Sequence, residues 1–429
     1  MSNTKGQAAL EKAKKLIPRA SQTMSKAHSM WVVDDVFPIM ADSLDGCVMT
    51  SIDGNKFIDM VGGLGTNFYP VDDKVKKALV DQIMNKGINF SLPTVLESEL
   101  AELLCDIYPC AEQVRFCKNG SDAVSAAVRI ARSYSNKDPI LTVSGGYNGW
   151  SDSIAAASQR AFGLPKVLGE LVEKVSYNNL EALEEKLKIG KFACFLMEPV
   201  SLEEPKPGYL QGVRDLCNRY NTILIFDEVI TGSRWAVGGA QEYYGVTPDL
   251  STIGKAFGSG VPISAIIGKK KYMDEFNVIF FSATYFGETL SLVTAITTLK
   301  ELRANKEKIY GHVWEQGNRI KAFFDSTCKE LGINAHSVGC APRLNFSFNY
   351  ENMLAIRDVF HQQMIHRGIL FGIQSLITWA TQKEHIDQVL VAMGESLVVV
   401  ADAIKNNNID DYLKGRRSEV IFRRELDNK

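Results

Sequence analysis

Short apolar runs alternate with amphipathic stretches along the middle of this chain. The runs at 139–143, 192–199 and 222–229 have the length and character of strands buried on both faces. The stretches at 179–188 and 213–220 have a helical period and lie between successive runs. Because parallel strands need a crossover, usually a helix, this alternation predicts an α/β fold with a mostly parallel sheet between helices.

The pattern changes after about residue 310. Helical periods at 311–331, 353–367 and 385–405 flank the strand-like segment 344–349. This mixture indicates a smaller α+β unit, which we expect to pack with the N-terminal segment. The charged end, 415–429, is typical of a frayed tail.

The N-terminal segment contains two recognisable elements. Residues 8–17 suit a short amphipathic helix, and Pro18 ends it. Residues 46–61 have the pattern of a β-hairpin that turns at Asp53 and Gly54, because glycine accepts a positive φ.

Composition excludes several classes of protein. The chain has 429 residues and a net charge of −2, which leaves no basic surface for nucleic acid. No apolar run approaches the roughly 20 residues that span a bilayer. The first 18 residues lack the apolar core of a signal peptide, so we expect a cytoplasmic protein. The eight cysteines form no CxxC pair and the six histidines no HExxH pair, so we expect free thiols and no metal site.

The segment KNGSDA at 118–123 follows an apolar strand and opens a helix. Backbone N–H groups at a helix start, together with the Ser121 hydroxyl, can bind an anion such as phosphate. The alternative is that Asn119 or Ser121 only caps the helix. The segment matches neither GxGxxG nor GxxxxGK[ST], so it predicts neither a dinucleotide site nor a P-loop.

Two charged residues stand in apolar surroundings. Asp227 ends the run 222–229, where a carboxylate lies at the ligand-binding edge of a parallel sheet; the alternative is a helix cap or a buried salt bridge. Lys255 lies in a loop with glycines at 254, 258 and 260. A lysine removed from water is a nucleophile that forms Schiff bases with aldehydes. The alternative is a surface lysine whose stem covers apolar groups.

The loop GGYNGW at 145–150 completes the set. An aromatic ring between glycines can lie flat against a flat ligand, although it can also simply cover the core. The anion site, the aromatic ring, the acid and the lysine together are the parts that a pyridoxal phosphate site needs.

These motifs resemble those of the class III, fold-type I, pyridoxal phosphate-dependent aminotransferases, in particular the glutamate-1-semialdehyde 2,1-aminomutase-like branch. The strongest similarity lies in DEVITGSRWAVGGAQEYYGVTPDLSTIGKAFGSGVP at 227–262. The hairpin DGNKFIDMVGGLG, the segment RFCKNGSDA, the loop GGYNGW and the tripeptide MEP add to it. The similarity runs from about residue 15 to residue 400.

The resemblance implies an architecture as well as a reaction. The fold is a large cofactor-binding domain at 61–309, with a mostly parallel seven-stranded sheet, and a smaller α+β domain built from 1–60 and 310–429. The reaction moves an amino group between a small amino donor and a keto or aldehyde acceptor.

The resemblance also implies roles for individual residues. Lys255 forms the Schiff base with the cofactor, and Asp227 pairs with the pyridine nitrogen. Thr284, in FFSATYFGETLSL, matches a threonine that reaches the phosphate of the neighbouring subunit, which implies a homodimer with shared active sites. The cofactor-binding residues implied are Gly120, Ser121, Tyr147, Asp227, Lys255 and Thr284. The substrate-side residues implied are Lys26, Trp150 and Glu198.

Several positions depart from the family pattern. Asn148 stands where relatives usually have a histidine, and Glu203 where the aminomutase has an asparagine. The stretch at 372–380 lacks the aminomutase's glutamate. Lys26 falls where the aminomutase has an arginine, and a lysine offers a point charge in place of a bidentate fork.

These departures argue against glutamate-1-semialdehyde as the substrate and leave alternatives open. One is a 2,1-aminomutase, which moves the amine within one molecule. Another is a decarboxylase or racemase that uses the same cofactor. The last is a cofactor-binding protein without an activity, against which the full set of cofactor residues argues.

Overall fold

The computed structural model describes residues 4–31, 37, 40–156, 161–415, 417 and 418. These residues form two compact units. One contains the described residues of 4–64 and 311–418, and the other contains those of 65–310. Compact packing does not by itself show independent folding, so the domain boundaries expected from the sequence stay a prediction.

The strands, numbered in chain order, are β1 (Ala41–Asp45), β2 (Val48–Ser51), β3 (Lys56–Asp59), β4 (Gln113–Cys117), β5 (Ile140–Val143), β6 (Val172–Val175), β7 (Cys194–Met197), β8 (Ile223–Glu228), β9 (Leu250–Ile253), β10 (Ser264–Gly268), β11 (Ala335–Val338), β12 (Arg343–Phe348), β13 (Ile369–Leu370) and β14 (Gln374–Leu376).

The α-helices are α1 (Thr4–Leu16), α2 (Gly62–Gly65), α3 (Asp73–Asp81), α4 (Val95–Ile107), α5 (Gly120–Ser135), α6 (Asp152–Ala155), α7 (Lys166–Glu170), α8 (Leu180–Leu187), α9 (Tyr209–Arg219), α10 (Gly239–Tyr244), α11 (Lys270–Met273), α12 (Thr289–Ala304), α13 (Lys306–Glu330), α14 (Met353–His366) and α15 (Lys383–Lys405).

The larger unit is built on a seven-stranded sheet with the order β4-β10-β9-β8-β7-β5-β6. Strand β10 pairs antiparallel with both β4 and β9, whereas the other pairs in the sheet are parallel. The strands β4, β5, β7, β8 and β9 therefore all end at the same edge of the sheet. In open α/β sheets this carboxyl edge is where ligands bind.

Strand β8 shows why the sheet is covered on both faces. Its side chains alternate between two cores because successive residues of a strand point to opposite faces. Ile223 and Ile225 pack in the core that contains the buried face of α5. Leu224 and Phe226 pack in the core that contains the buried face of α9. Helices on both faces explain why the strand sequences are continuously apolar.

A buried ion pair joins α9 to the start of β8. The Asp249 carboxylate accepts hydrogen bonds from Arg214 Nη1 at 2.9 Å, from the Leu224 backbone N–H at 2.9 Å and from Lys269 Nζ at 2.7 Å. Burial raises the pKa of Asp249, but Arg214 and Lys269 outweigh it and hold the pKa below its ordinary value. The carboxylate thus fixes the position of the loop that enters β9.

The smaller unit contains two sheets. One has the order β1-β2-β3-β13 and the other the order β11-β12-β14. Strands β2 and β3 form the predicted hairpin, and Gly54 in its turn has a φ of 84°, which favours glycine. Phe324, Phe346 and Phe360 pack against one another between α13, α14 and β12.

The fold class predicted from the sequence is confirmed. The three apolar runs form β5, β7 and β8, and the helical stretches between them form α8 and α9. The three C-terminal helical periods form α13, α14 and α15. The predicted frayed tail lies outside the described residues, apart from 415, 417 and 418.

Two further findings concern the described part of the chain. No helix there is both long enough and apolar enough to cross a membrane. No cluster of three or more histidine, cysteine, aspartate or glutamate side chains is placed there to hold a metal ion.

Candidate active site

The residues singled out in the larger unit lie at the carboxyl edge of its sheet. Asp227 is the fifth residue of β8, and its register partner on β9 is Thr252. Lys255 follows the end of β9 by two residues, and Glu198 follows the end of β7 by one. Because these strands are adjacent and parallel, their ends bring the three charged side chains close together.

Asp227 is buried, with 5% of its surface exposed. Asn148 Nδ2 donates to Asp227 Oδ2 at 2.8 Å. The other oxygen, Oδ1, accepts from Thr252 Oγ1 at 3.1 Å and from the Val229 backbone N–H at 3.2 Å. These three donors hold the carboxylate in one orientation at the end of β8.

Burial raises the pKa of Asp227 from 3.8 to about 6. The hydrogen bond from Asn148 opposes this shift, the charge of Glu198 adds to it, and the charge of Lys255 opposes it. Removing an ionised carboxylate from water is costly. The hydrogen-bond donors around Asp227 are therefore important for keeping its carboxylate ionised. A carboxylate held in this way is suited to pair with a cation or with a protonated ring nitrogen.

Lys255 begins a short 3-10 turn, Lys255–Gly258, and has a φ of 49° in the left-handed region. Residues other than glycine rarely adopt this backbone conformation, so the surrounding structure must hold Lys255 in it. The preceding residue, Gly254, lies so close to β10 that an added Cβ would be 2.6 Å from Ser264 Oγ. The glycine therefore lets the lysine loop pack directly on the sheet.

The segment predicted to bind an anion, which is called the α5 cradle below, lies at the start of α5. Asn119 is the N-cap, and its Oδ1 accepts from the Asp122 backbone N–H at 3.0 Å. Ser121 is inside the first turn, and its Oγ accepts from the Trp150 backbone N–H at 3.1 Å. An added Cβ on Gly149 would be 2.7 Å from Ser121 Oγ, and one on Gly120 would be 2.9 Å from Val229 Cγ1. Capping by Asn119 leaves the Ser121 hydroxyl and the first N–H groups of a 16-residue helix beside the end of β8.

The loop after β5 places two aromatic side chains at this edge. Tyr147 is 57% exposed and Trp150 is 73% exposed. Tyr147 directly precedes Asn148, which donates to Asp227, and partial burial followed by the charge of Asp227 raises the pKa of Tyr147. An exposed ring close to the buried acid is where a flat ligand could lie.

Three other residues named from the sequence belong to other segments of the chain. Thr284 is exposed on the loop before α12, and Glu203 is exposed on the loop after β7. Lys26 belongs to the smaller unit, in the turn Met24–Lys26. Burial raises the pKa of Asp59 in the same unit, and the positive charge of Lys26 opposes this rise. The roles expected for all of the site residues, Thr284 and Lys26 included, stay predictions.

Sequence reasoning missed the supports of Asp227. Thr252 lies within an apolar strand, and Thr142 Oγ1 donates to Asn148 Oδ1 at 3.2 Å from within another. A polar residue inside an apolar strand was the available signal, but its partner is brought near only by the sheet. The sequence identifies Asn148 as a departure from the family pattern, but it does not reveal that Asn148 donates to Asp227.

These residues fit pyridoxal phosphate. The cradle at α5 offers N–H groups and a hydroxyl to a phosphate, without a Cβ at Gly149 to obstruct Ser121. The buried Asp227 suits a pyridine nitrogen, and Lys255 lies close enough for its charge to act on that carboxylate. The set is coherent because all of it lies along one sheet edge.

Comparison with known proteins gives the family context. The family model described as aminotransferase class III matches residues 30–395. The 3-aminobutyryl-CoA aminotransferase of Cloacimonas acidaminovorans is 32% identical over 372 residues, which cover 84% of this chain and 88% of that protein. The glutamate-1-semialdehyde 2,1-aminomutase of Geotalea daltonii is 36% identical over 322 residues, which cover 70% and 74%.

Solved structures share the fold. An omega-transaminase from Sphaerobacter thermophilus superposes with a TM-score of 0.85 at 23% identity, over 92% of this chain and 97% of that one. A glutamate-1-semialdehyde aminomutase from Pseudomonas aeruginosa gives a TM-score of 0.82 at 20% identity, over 92% and 95%.

The raised pKa of Asp227 predicts a pH-dependent stability of the cofactor-free protein. The folded state holds the Asp227 proton more tightly than the unfolded state, so the free energy of unfolding falls as pH rises from about 4 through about 6. Asp227→Asn removes this effect. The stability of the variant relative to the wild type should therefore rise by about 2 kcal/mol between pH 4 and pH 7.

Denaturant unfolding of both proteins at several pH values measures this difference. Asp274→Asn is the control, because Asp274 is half-exposed and forms a surface ion pair with Lys270. The difference in unfolding free energy between this variant and the wild type should change with pH by less than about 1 kcal/mol. An Asp227→Asn difference that is flat with pH contradicts the assignment of a buried, ionisable Asp227.

Proposed function

This chain belongs to the class III aminotransferases, and from that premise we propose how its own residues perform the transfer of an amino group. Pyridoxal phosphate is the cofactor. When bound, it supplies an aldehyde that takes up an amine and a ring that accepts electrons from a bond broken beside that amine. The observation that carries the proposal is the common sheet edge shared by Lys255, Asp227 and the α5 cradle.

Lys255 is proposed to hold the cofactor covalently and to move the substrate proton. Its loop is packed against β10 through Gly254, so the amine is presented from a fixed backbone. Once released, the neutral Nζ can accept a proton from the carbon beside the substrate amine and return it elsewhere. The charge of Asp227 is near enough to interact with this amine.

Asp227 is proposed to hold a proton on the cofactor's ring nitrogen. Its carboxylate is fixed by Asn148, Thr252 and the Val229 N–H, so it does not need to reorganise when the ring arrives. The ionised carboxylate would stabilise a proton on the nitrogen of the bound ring, which is the form that suits the ring's role as an electron acceptor. The carboxylate therefore acts at a distance from the bond that breaks.

The α5 cradle is proposed to bind the phosphate through Gly120 and Ser121. The first N–H groups of the helix and its macrodipole favour an anion there, and the Ser121 hydroxyl adds a donor. Tyr147 is proposed to stack on the cofactor ring. Trp150 and Glu198 are proposed to lie on the substrate side, together with Lys26.

We also propose that the active enzyme is a homodimer. An apolar surface with exposed side chains lies on the larger unit, and soluble monomers rarely expose so many large apolar groups together. Its residues come from two segments, 83–95 and 278–285. These segments are tied together where the Thr289 backbone N–H, four residues after Tyr285, donates to the Ile88 carbonyl at 2.9 Å. The exposed residues of this surface are Ile83, Met84, Ile88, Phe90, Leu92, Val95, Val278, Phe280 and Tyr285.

Thr284 lies within the second of these segments and is exposed. If the surface joins two copies, Thr284 is carried toward the partner. This supports the proposal that it reaches the partner's phosphate cradle. A cytoplasmic location is proposed as well, in keeping with eight free thiols.

An aminomutase is the second candidate, because the Geotalea daltonii aminomutase is 36% identical to this chain. Intermolecular transfer is favoured because the aminotransferase relative aligns over more of the chain, 84% against 70%. The departures at Glu203 and 372–380 also argue against the aminomutase substrate.

Replacing Lys255 tests the catalytic assignment. Lys255→Ala should lower the rate of amine transfer by about 10³-fold or more, because both the covalent hold and the proton carrier are lost. Borohydride treatment of the wild type should fix the cofactor's mass on the peptide containing Lys255. Lys270→Ala, an exposed lysine, is the control. A rate of amine transfer in Lys255→Ala equal to that of the wild type contradicts the assignment, and so does the cofactor's mass on a peptide that contains another lysine.

A nitrogen label distinguishes transfer between molecules from transfer within one. The enzyme is incubated with a panel of ¹⁵N-labelled amino acids and with pyruvate or 2-oxoglutarate as acceptor. An aminotransferase should place the label in alanine or glutamate. Strict retention of the label in the starting molecule, with the amine moved to a neighbouring carbon, supports the aminomutase instead.

A charge on the apolar surface tests the dimer. Leu92→Glu should shift the protein from dimer to monomer in sedimentation velocity, because an unpaired carboxylate is costly to bury at an interface. Val391→Glu is the matched control, since Val391 is also exposed but lies on α15 in the smaller unit. A wild type that sediments as a monomer contradicts the proposal.

A further inference from the structure

Asn148 occupies a buried position between two polar side chains of the sheet. It is 7% exposed. Its Oδ1 accepts from Thr142 Oγ1 at 3.2 Å, and its Nδ2 donates to Asp227 Oδ2 at 2.8 Å. One amide therefore joins the end of β5 to the end of β8, across the intervening strand β7.

The two contacts define one orientation of the amide. If the amide were turned over, its carbonyl oxygen would face Asp227 Oδ2, and two acceptors would repel each other while the carboxylate is ionised. In the observed orientation the Thr142 hydroxyl donates to the carbonyl and the amide donates to the carboxylate. The ionised state of Asp227 and the observed amide orientation thus favour each other.

Other charged and polar groups also face Asp227. Glu198, beyond β7, opposes the negative charge, and Lys255, beyond β9, favours it. Tyr147, in the loop after β5, is close enough for its pKa to respond to that charge. Thr252 and the Val229 N–H donate to the opposite oxygen. The hydrogen bond from Asn148 thus opposes the effect of burial on the pKa of Asp227.

We propose that Asn148 is a positioning residue for the cofactor's ring nitrogen: it orients the Asp227 carboxylate and keeps it ionised through a donor that does not titrate. This inference rests on the proposed role of Asp227. An asparagine amide keeps its donor at every physiological pH, whereas a histidine in the same place would change charge near pH 6.5. The charge of Asp227 is then independent of any titration at position 148.

The test uses Asn148→Leu, which has a similar volume and no donor. In the cofactor-free protein, the pH midpoint at which folded-state Asp227 is half-ionised is obtained from the pH dependence of unfolding, by comparison with Asp227→Asn in the same background. Loss of a hydrogen bond to a charged group should move this midpoint upward by about one to two pH units. A midpoint within about 0.3 units of the wild type overturns the proposal.

Thr142→Val provides a second variant in case Asn148→Leu does not fold. It removes the hydroxyl that holds the Asn148 carbonyl and should move the midpoint in the same direction by a smaller amount. Thr222→Val is the matched control, because Thr222 is also buried beside the sheet and has no contact with Asn148 or Asp227 among its described hydrogen bonds. An unmoved midpoint in Thr142→Val, or an equal movement in Thr222→Val, contradicts the proposal.

The complete enzyme supplies an independent readout. The Kd of pyridoxal phosphate for Asn148→Leu, divided by the wild-type Kd, should be about tenfold larger at pH 6 than at pH 8. Asn148→His, which restores a donor, should return this ratio toward one. A ratio for Asn148→Leu that does not change with pH overturns the proposal. The stability measurement needs no turnover, so it remains decisive even if Lys255→Ala refutes the proposed reaction.

Discussion

The site depends on one buried carboxylate. Asp227 lies one residue before the end of the buried strand β8, where an ionised group is unfavourable, and donors from three neighbouring segments hold it there. The balance is close, because the same residue has a pKa near 6 rather than near 4. A group held this near to neutrality changes its state readily with its surroundings, as functional carboxylates commonly do. Strand β9 supplies Thr252 through its register with β8, and the loop after β5 supplies Asn148.

Close backbone approaches bring the remaining parts to that carboxylate. Gly120 lies against Val229, Gly149 against Ser121 and Gly254 against Ser264, each too near to admit a Cβ without displacement. These three contacts tie the anion cradle, the aromatic loop and the lysine loop to the strand ends. The glycines in the motifs thus serve packing first, and the chemistry relies on that packing.

Family membership and local departures give different information. The class III match and the fold establish the kind of enzyme and its cofactor. The asparagine at position 148 concerns this chain in particular, since it places a side chain that does not titrate where the family resemblance leads to the expectation of a histidine. Its effect is understood only through its contact with Asp227, because an asparagine in a loop is otherwise unremarkable in a sequence.

The sequence by itself determined the alternation of strands and helices, the cofactor motifs and the family. Hydrophobic periodicity and glycine-rich loops are local properties, and local properties can be read along a chain. The tertiary structure decided which polar groups meet. Thr142, Asn148 and Asp227 come from β5, the loop after it and β8, and only the strand order places them in hydrogen-bond contact. Strand order and register depend on contacts between distant parts of the chain, which is why the support of Asp227 could not be read from the residues around it.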